Sequence, residues 1–186
     1  MNGNLLANRL WAGAGLGRAA LLAVAGSLFV ALAAQVSVPM FPVPMTLQTL
    51  AVLAVGAAYG MRLGAATLAL YALEGAVGLP VFANFSGGPH VIMGPTGGYI
   101  VGFILAAALV GWLVETGRAN TTPRLIAAML AGGALLYVPG ILWLSHFVGA
   151  DAVKYGLYPF VLGDVIKAVV AALVLPAASS LIGTKG

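Results

Sequence analysis

The sequence contains few charged residues and no cysteine. Only 6 % of its 186 residues are Asp, Glu, Lys or Arg, whereas an ordinary soluble domain has about 25 %. Without cysteine, the chain forms no disulfide and offers no thiolate nucleophile or thiolate metal ligand. Two histidines and four carboxylates leave few ligands for a metal site and no credible catalytic triad. This inventory argues against a membrane enzyme.

Apolar residues are abundant instead. They make up 62 % of the chain, and 26 residues are glycine. A soluble protein of this size could not bury so much apolar surface, so we predict an all-α integral membrane protein with one membrane domain over residues 1–186. No cleavable signal peptide is evident, and the first span is therefore expected to remain as an anchor.

Six apolar segments predict six transmembrane helices. They cover residues 19–36, 46–59, 63–77, 97–114, 125–147 and 159–182. A helix needs about 20 residues to cross a bilayer, so the second and third segments are short. A re-entrant pair is the alternative there, but Arg62 between the two segments favours two short helices joined by a turn.

The cations between these segments predict the orientation. Six spans place Arg9, Arg18, Arg62, Arg118, Arg124 and Lys185 on one side of the membrane. The positive-inside rule makes that side cytoplasmic. Both termini are then cytoplasmic, and the loops 37–45 and 78–96 face outward.

The two outward loops are unusual. Residues 37–45 contain three prolines and no charge, which predicts a stiff, extended connection. Residues 78–96 are long, apolar and rich in Gly and Pro. Such a loop is either a lid over an external pocket or an interfacial loop among lipid headgroups.

Asp164 and Lys167 form the clearest candidate site. Three residues apart on the last predicted helix, they share one face. An ionised group inside hydrocarbon is costly unless it is compensated. The two residues are therefore either an ion pair that fixes packing or a polar ligand site reached from outside. A carboxylate accepts N–H donors and an ammonium binds ligand oxygens, so such a site suits a small ligand carrying both.

Polar residues beside the outward loops are further candidates. Thr46 either caps the second helix or joins a pocket, and the amide of Gln48 would otherwise face lipid. The GPTGG run at 94–98 either favours an anion at a helix start or is plain helix punctuation. Glu74 is either a pocket group or a protonated core acid. Four aromatic residues are expected near the outer interface, and most of them are interpreted as anchors: Tyr137, Trp143, Tyr155 and Tyr158.

Small residues recur every four positions along the first span, at Ala19, Ala23, Ser27 and Ala31. Such a stripe lets another helix approach closely. It predicts either packing within the protein or a docking face for a partner membrane protein.

Four segments, in order, resemble the BioY family: VPMTLQTLAVLAVGAAYGMRLGA, GLPVFANFSGGP, GPTGGYIVGF and YPFVLGDVIKAVVAA. The likeness covers about residues 39–172, and the joint spacing of PMTLQTL, GPTGGY and GDxxK is specific. These proteins are biotin-specific S components of energy-coupling factor (ECF) transporters. The resemblance implies a six-helix bundle of the ECF S-component type, multi-pass in a bacterial cytoplasmic (inner) membrane. Its function would be biotin uptake without enzymatic activity, with biotin as transported ligand and no cofactor.

The resemblance also assigns residues. Asp164 and Lys167 match the polar pair of the last helix, which is implicated in biotin binding. The expected pocket further includes Thr46, Gln48, Asn84, Phe85, Gly97, Gly98 and Tyr99. Ala19, Ala23 and Ser27 match a docking surface for the membrane scaffold (T component), although Ser27 stands where the family usually has alanine.

The expected partners are biotin and an ECF module, made of the scaffold and two ATPases; no nucleic acid is expected. Two modes of uptake are open: uptake with that module, or uptake by the chain alone as a homo-oligomer. The alternative to a biotin protein is a small membrane channel or scaffold protein without a vitamin ligand.

Overall fold

The computed structural model describes the backbone of residues 15–183 and the side chains of residues 15–176. Arg9 and Lys185, two of the cations that predict the orientation, lie outside the described residues. Seven α-helices are described: α1 (Leu16–Gln35), α2 (Gln48–Ala76), α3 (Pro89–Ile92), α4 (Gly97–Glu115), α5 (Thr122–Val148), α6 (Ala152–Gly156) and α7 (Val161–Gly183). The remaining elements are strands β1 (Ser37–Val38) and β2 (Met45–Thr46) and two 3₁₀ turns, Ala83–Phe85 and Gly149–Asp151.

Four of the described helical stretches are long and apolar enough to cross a membrane. They are Leu16–Gln35, Gln48–Ala76, Gly97–Glu115 and Thr122–Gly156. Large apolar side chains also cover their outer faces, for example Leu28 and Leu142. A helix that is apolar on all sides is suited to lipid. The prediction of a helical membrane protein is therefore confirmed, while the count of six spans stays a prediction.

Helix α2 is broken at Gly60, which has φ 82° and ψ 179°. This left-handed φ favours glycine because a Cβ would be strained there. Beyond the break the chain folds back, so that a Cβ built at Gly64 would lie 3.2 Å from the Cα of Gly56. Residues 48–59 and 61–76 are thus two packed helical segments. The sequence placed the reversal in the turn between residues 59 and 63, which contains Arg62, and the break at Gly60 lies within that turn.

The reversal at Gly60 is packed against the end of α4. Glu115 accepts a hydrogen bond from the backbone N–H of Met61 at 3.1 Å, which satisfies one of the unpaired N–H groups at the start of the second segment. Gly111 leaves no room for a side chain beside the backbone of Gly60. The close approach of the two chains at this end therefore depends on glycine.

The proline-rich loop after α1 returns as a short hairpin. Strands β1 and β2 pair antiparallel, with Ser37 opposite Thr46 and Val38 opposite Met45. This pairing is a small departure from the all-α prediction. It brings the chain from the end of α1 directly to the start of α2, so the loop covers that end of the helices.

Helix α4 lies at the centre of the bundle, with its most extensive packing against α2 and α5. Val110 and Leu136 are almost fully buried between these helices, as is Leu53 of α2. Helix α1 packs on α2, and α7 packs on both α2 and α5. The helix bounds differ from the predicted spans by up to three residues. Helix α1 begins at Leu16, three residues before its predicted span, and α7 begins at Val161, two residues later than predicted.

Candidate functional site

A cavity of about 300 Å³ opens where α2, α4 and α7 begin, beneath the loops 37–46 and 78–96. This size is within the range of small-molecule pockets. Its walls are mostly apolar, with polar groups gathered near α2 and α7. The lining residues are Val43, Pro44, Thr46, Gln48, Thr49, Phe82, Ala83, Asn84, Ser86, Val91, Thr96, Tyr99, Ile100, Phe103, Leu136, Tyr137, Phe160, Asp164 and Lys167.

An ion pair forms the polar side of the cavity. Lys167 Nζ lies 2.8 Å from Asp164 Oδ1, and the two side chains are only 13 % and 12 % exposed. Helix α7 begins at Val161, so both residues lie in its first two turns and their spacing of three directs them to one face. A charge this deeply buried persists only when it is paired and its hydrogen bonds are satisfied.

Neighbouring groups complete the hydrogen bonding of this pair. Asp164 accepts hydrogen bonds from the Thr49 hydroxyl, at 2.8 Å, and from the Tyr137 hydroxyl. Lys167 Nζ donates to the carbonyl oxygen of Thr46 at 2.6 Å. Helices α2, α5 and α7 therefore converge on one carboxylate. Such a network is rigid and presents a localised charge to the cavity.

A second set of hydrogen bonds lies at the start of α2. Gln48 Nε2 donates to the Tyr71 hydroxyl at 2.6 Å, and that hydroxyl donates to the carbonyl oxygen of Val81 at 3.0 Å. The N-cap of α2 is Leu47 rather than Thr46, although the Thr46 hydroxyl accepts from the Gln48 N–H at 3.2 Å. These bonds fix the polar rim of the cavity and attach the loop 78–96 to α2.

The apolar walls include residues of α4 and α5 and Phe160, which directly precedes α7. Phe103 and Phe160 are almost fully buried beside the cavity. Tyr99 stands edge-on to Tyr137, with 6.1 Å between ring centroids, and its hydroxyl donates to the Gly156 carbonyl oxygen at 2.8 Å. The side chain of Tyr99, which lines the cavity, is thereby held in place. Aromatic surface of this kind suits an apolar ring in a ligand.

Six of the nine residues predicted for the pocket do line the cavity. They are Thr46, Gln48, Asn84, Tyr99, Asp164 and Lys167. Phe85 is not among the lining residues and its side chain is 72 % exposed. Gly97 and Gly98 are not lining residues either. They are buried where α4 packs on Trp143, with no space for a side chain, so in this conformation they act in helix packing.

Tyr137 and Thr49 are the main cavity residues outside that predicted set. The sequence interpretation placed Tyr137 among aromatic residues near the outer interface, most of them anchors, whereas Tyr137 is buried and bonded to Asp164. The sequence around Tyr137 carried no signal that linked this residue to the cavity. Thr49, in contrast, stands in the same PMTLQTL run as two predicted residues.

The small-residue stripe of α1 packs within the protein over part of its length. Ser27 is fully buried and donates a hydrogen bond to Glu74, so it is a packing position rather than part of a docking face in this conformation. Ala19 and Ala23 are partly exposed, and docking there stays a prediction. Glu74 is not a lining residue of the cavity. Its hydrogen bond with Ser27 instead joins α2 to α1.

Within the described part of the chain, no three His, Cys, Asp or Glu side chains gather to hold a metal ion. The fold and the site together define a helical membrane protein that encloses a small-molecule-sized cavity, apolar on most sides and charged on one.

Comparisons with known proteins identify the family. The sequence model of the BioY family matches residues 8–184, and the chain belongs to this family. It is 43 % identical over 143 residues to the "Biotin transporter BioY" of Thermotoga maritima, covering 76 % of this chain and 83 % of that one. It is 41 % identical over 152 residues to the "Probable biotin transporter BioY" of Pyrococcus horikoshii, covering 80 % and 90 %.

The fold is also that of a solved structure, the S-component for biotin from an ECF-type ABC transporter. The two chains superpose with a TM-score of 0.76 and 21 % identity, over 88 % of this chain and 92 % of the other. The predicted family and S-component type of fold are confirmed. Family membership likewise confirms the prediction of a transport protein rather than an enzyme.

Proposed function

We propose that this protein binds biotin in the cavity between α2, α4, α5 and α7 and carries it into the cell. Two features support the proposal. Relatives that share about two-fifths of their residues with this chain are named biotin transporters. The cavity has the size and the mixed lining that a small, partly polar vitamin requires.

The buried Asp164 is the observation on which the ligand assignment depends. Biotin carries a ureido group with N–H donors and a carbonyl oxygen, an apolar bicycle, and a carboxylate. A carboxylate can accept a ureido N–H in a charge-assisted hydrogen bond. Lys167 lies 2.8 Å from Asp164, where it balances the charge of the carboxylate, and can itself contact a ligand oxygen. Apolar walls including Phe103 and Phe160 fit the bicycle.

We further propose six membrane crossings, with both termini in the cytoplasm and the cavity opening outward. The helical segments on either side of Gly60 would be the two short crossings. Three cations, Arg62, Arg118 and Arg124, lie at or beside the helix ends remote from the cavity. An excess of cations at that end supports a cytoplasmic location by the positive-inside rule. The membrane is then a bacterial cytoplasmic (inner) membrane.

An ECF module, consisting of a membrane scaffold and two ATPases, is the proposed energy source. The solved structure of the same fold is an S-component of such a transporter, and this sequence has no Gly-Lys-Ser/Thr phosphate loop of its own. The exposed parts of α1 around Ala19 and Ala23 are the proposed docking face. Uptake by a homo-oligomer without the module is the second candidate, and a channel or scaffold role without a vitamin ligand is the third.

Ligand binding tests the proposal directly. The purified protein is titrated with biotin by isothermal calorimetry, with thiamine as a vitamin that lacks a ureido group. Asp164→Asn is measured in parallel, and Ser145→Ala is the matched control, because Ser145 is exposed and its hydroxyl bonds only within its own helix. We expect saturable binding of biotin by wild type and the control, and weak binding by Asp164→Asn. A folded wild type that does not bind biotin would refute the assignment.

Uptake in cells separates the three candidates. Radiolabelled biotin is supplied to bacteria that lack a biotin transporter and express this chain, with or without a co-expressed ECF module. Uptake only with the module supports the ECF proposal, and equal uptake in both strains supports transport by the chain alone. Absence of uptake in both strains, together with absence of binding, would favour a channel or scaffold.

A further inference from the structure

Gln35, the last residue of α1, contacts the loop that covers the cavity. Its Nε2 donates to the carbonyl oxygen of Phe82 at 3.1 Å and to that of Ala31 at 3.0 Å. Its Oε1 accepts from the backbone N–H of Phe85 at 2.8 Å. Gln35 does not line the cavity itself, whereas Phe82, Ala83, Asn84 and Ser86 do. The side chain therefore touches the far side of a ligand-facing turn.

The turn at residues 82–86 is locally unfavourable. Phe82 and Ser86 close it with a backbone hydrogen bond of 3.0 Å. Between them, Asn84 and Phe85 have φ angles of 58° and 54°. Asparagine adopts the left-handed region readily, but that region costs Phe85 about 1–2 kcal/mol, and the exposed Phe85 side chain recovers little by burial. A turn of this kind persists only when contacts from outside hold it.

The amide of Gln35 supplies the contacts that the turn lacks. One side chain serves two backbone groups of the turn. The Gln35 amide donates to the Phe82 carbonyl oxygen and accepts from the Phe85 N–H. A glutamine amide presents these groups much as a peptide group of a neighbouring strand does. A second bond joins the same regions, from the Ser37 hydroxyl to Asn84 Oδ1 at 3.0 Å. The other side of the loop is attached to α2 by Tyr71.

We infer that Gln35 is a positioning residue for the ligand site, holding the turn at 82–86 against the cavity and thereby limiting how fast bound biotin leaves. This inference rests on the proposed biotin function. It assigns to the end of α1 a part in ligand retention, although no atom of Gln35 faces the cavity. The physical basis is the pair of hydrogen bonds from Gln35 to a strained turn. All residues of this turn except Phe85 line the cavity.

Dissociation kinetics test the inference. Protein loaded with radiolabelled biotin is chased with an excess of unlabelled biotin, and the dissociation rate is measured. Gln35→Leu removes the amide donor and acceptor together, and we expect about tenfold faster dissociation for the loss of two net hydrogen bonds. Association should change much less, because most effects of this kind fall on dissociation. Ser145→Ala is the control and should dissociate at the wild-type rate.

Gln35→Glu provides a readout that a merely structural role would not produce. A neutral carboxylic acid has one donor and one acceptor, as the amide does, whereas the ionised form has only acceptors and opposes the Phe82 carbonyl. A glutamate has a pKa of about 4.3 in water, and a partly buried one beside carbonyl oxygens titrates higher. We therefore expect Gln35→Glu to resemble wild type near pH 5 and to release biotin faster than wild type near pH 8, where the bond to the Phe82 carbonyl is lost while the Phe85 N–H keeps its acceptor. Wild type measured at each pH corrects for effects of pH on the ligand carboxylate and on the rest of the protein.

Wild-type dissociation from Gln35→Leu, or a ratio of Gln35→Glu to wild type that does not vary with pH, would overturn the inference. If Gln35→Leu does not fold, Gln35→Glu at the two pH values decides alone. If wild type does not bind biotin, the proposed function fails instead. Backbone hydrogen exchange of the ligand-free protein then decides: the Phe85 N–H should exchange faster in Gln35→Leu than in Ser145→Ala, and equal exchange would refute the positioning role.

Discussion

Removing the charges of Asp164 and Lys167 one at a time, and then together, should separate folding from ligand binding. The relevant variants are Asp164→Leu, Lys167→Met and the double substitution. At an effective dielectric constant of about 20, unit charges at the observed 2.8 Å attract each other by about 6 kcal/mol. Desolvation of two buried ions offsets most of this gain, because it costs several kcal/mol for each ion.

The two single variants should therefore be much less stable than the double variant. Each leaves one charge buried without its opposite, which typically costs 3–5 kcal/mol. In Lys167→Met, the neutral hydroxyls of Thr49 and Tyr137 still bond to Asp164 but do not balance its charge. The double variant leaves no unpaired charge, so it should be clearly more stable than either single variant, although the Thr49 and Tyr137 hydroxyls lose their acceptor and keep it below wild type.

The double variant should recover stability relative to the single variants, but it should not recover biotin affinity. A lost hydrogen bond to a charged group is worth about 1.5–3 kcal/mol, so the double variant should bind biotin about 10- to 150-fold more weakly than wild type. Thermal unfolding in detergent measures the stability of each variant, and calorimetric titration measures its affinity for biotin. A double variant as unstable as either single variant would refute the compensation argument. One that binds biotin with wild-type affinity would reduce the pair to a packing feature.

Three further predictions concern single residues, and the second of them has a matched control. Tyr137→Phe removes a hydroxyl donor from Asp164 and should weaken biotin binding in a calorimetric titration about tenfold. Gly60→Ala forces a Cβ into a left-handed φ and against α4, and should lower the free energy of unfolding by more than about 1 kcal/mol. Gly133→Ala, where a Cβ meets open space, should instead be neutral or stabilise by up to about 1 kcal/mol. Ser27→Ala deprives Glu74 of its hydroxyl donor and should cost about 1–3 kcal/mol in thermal unfolding, with biotin affinity unchanged.

Specific outcomes would contradict these predictions. Unchanged affinity in Tyr137→Phe would mean that Asp164 needs only its bonds to Thr49 and Lys167. Equal stability of Gly60→Ala and Gly133→Ala would show that α2 tolerates a side chain at its break. A loss of biotin affinity in Ser27→Ala would place Glu74 in the binding mechanism, contrary to its absence from the cavity lining.

Much of the candidate site could be predicted from local sequence. Asp164 and Lys167 were identifiable because two charges three residues apart in an apolar segment need a partner or a ligand. Gln48 was identifiable for a similar reason, since an amide in an apolar helix would otherwise face lipid. Tyr137 could not be recognised in this way. A tyrosine in a membrane helix is equally suited to an interface, and only the approach of α5 to α7 brings its hydroxyl to Asp164.

The amino-acid sequence by itself determined the membrane as the solvent, the class of helical fold and the family, because apolar composition and motif spacing are properties of the chain alone. The tertiary structure decided which residues meet. It buried Ser27 against Glu74, set Gly97 and Gly98 into helix packing, and joined Gln35 to a turn almost fifty residues away. Contacts between residues far apart in the chain depend on how helices pack, and the local pattern around each residue does not contain that information.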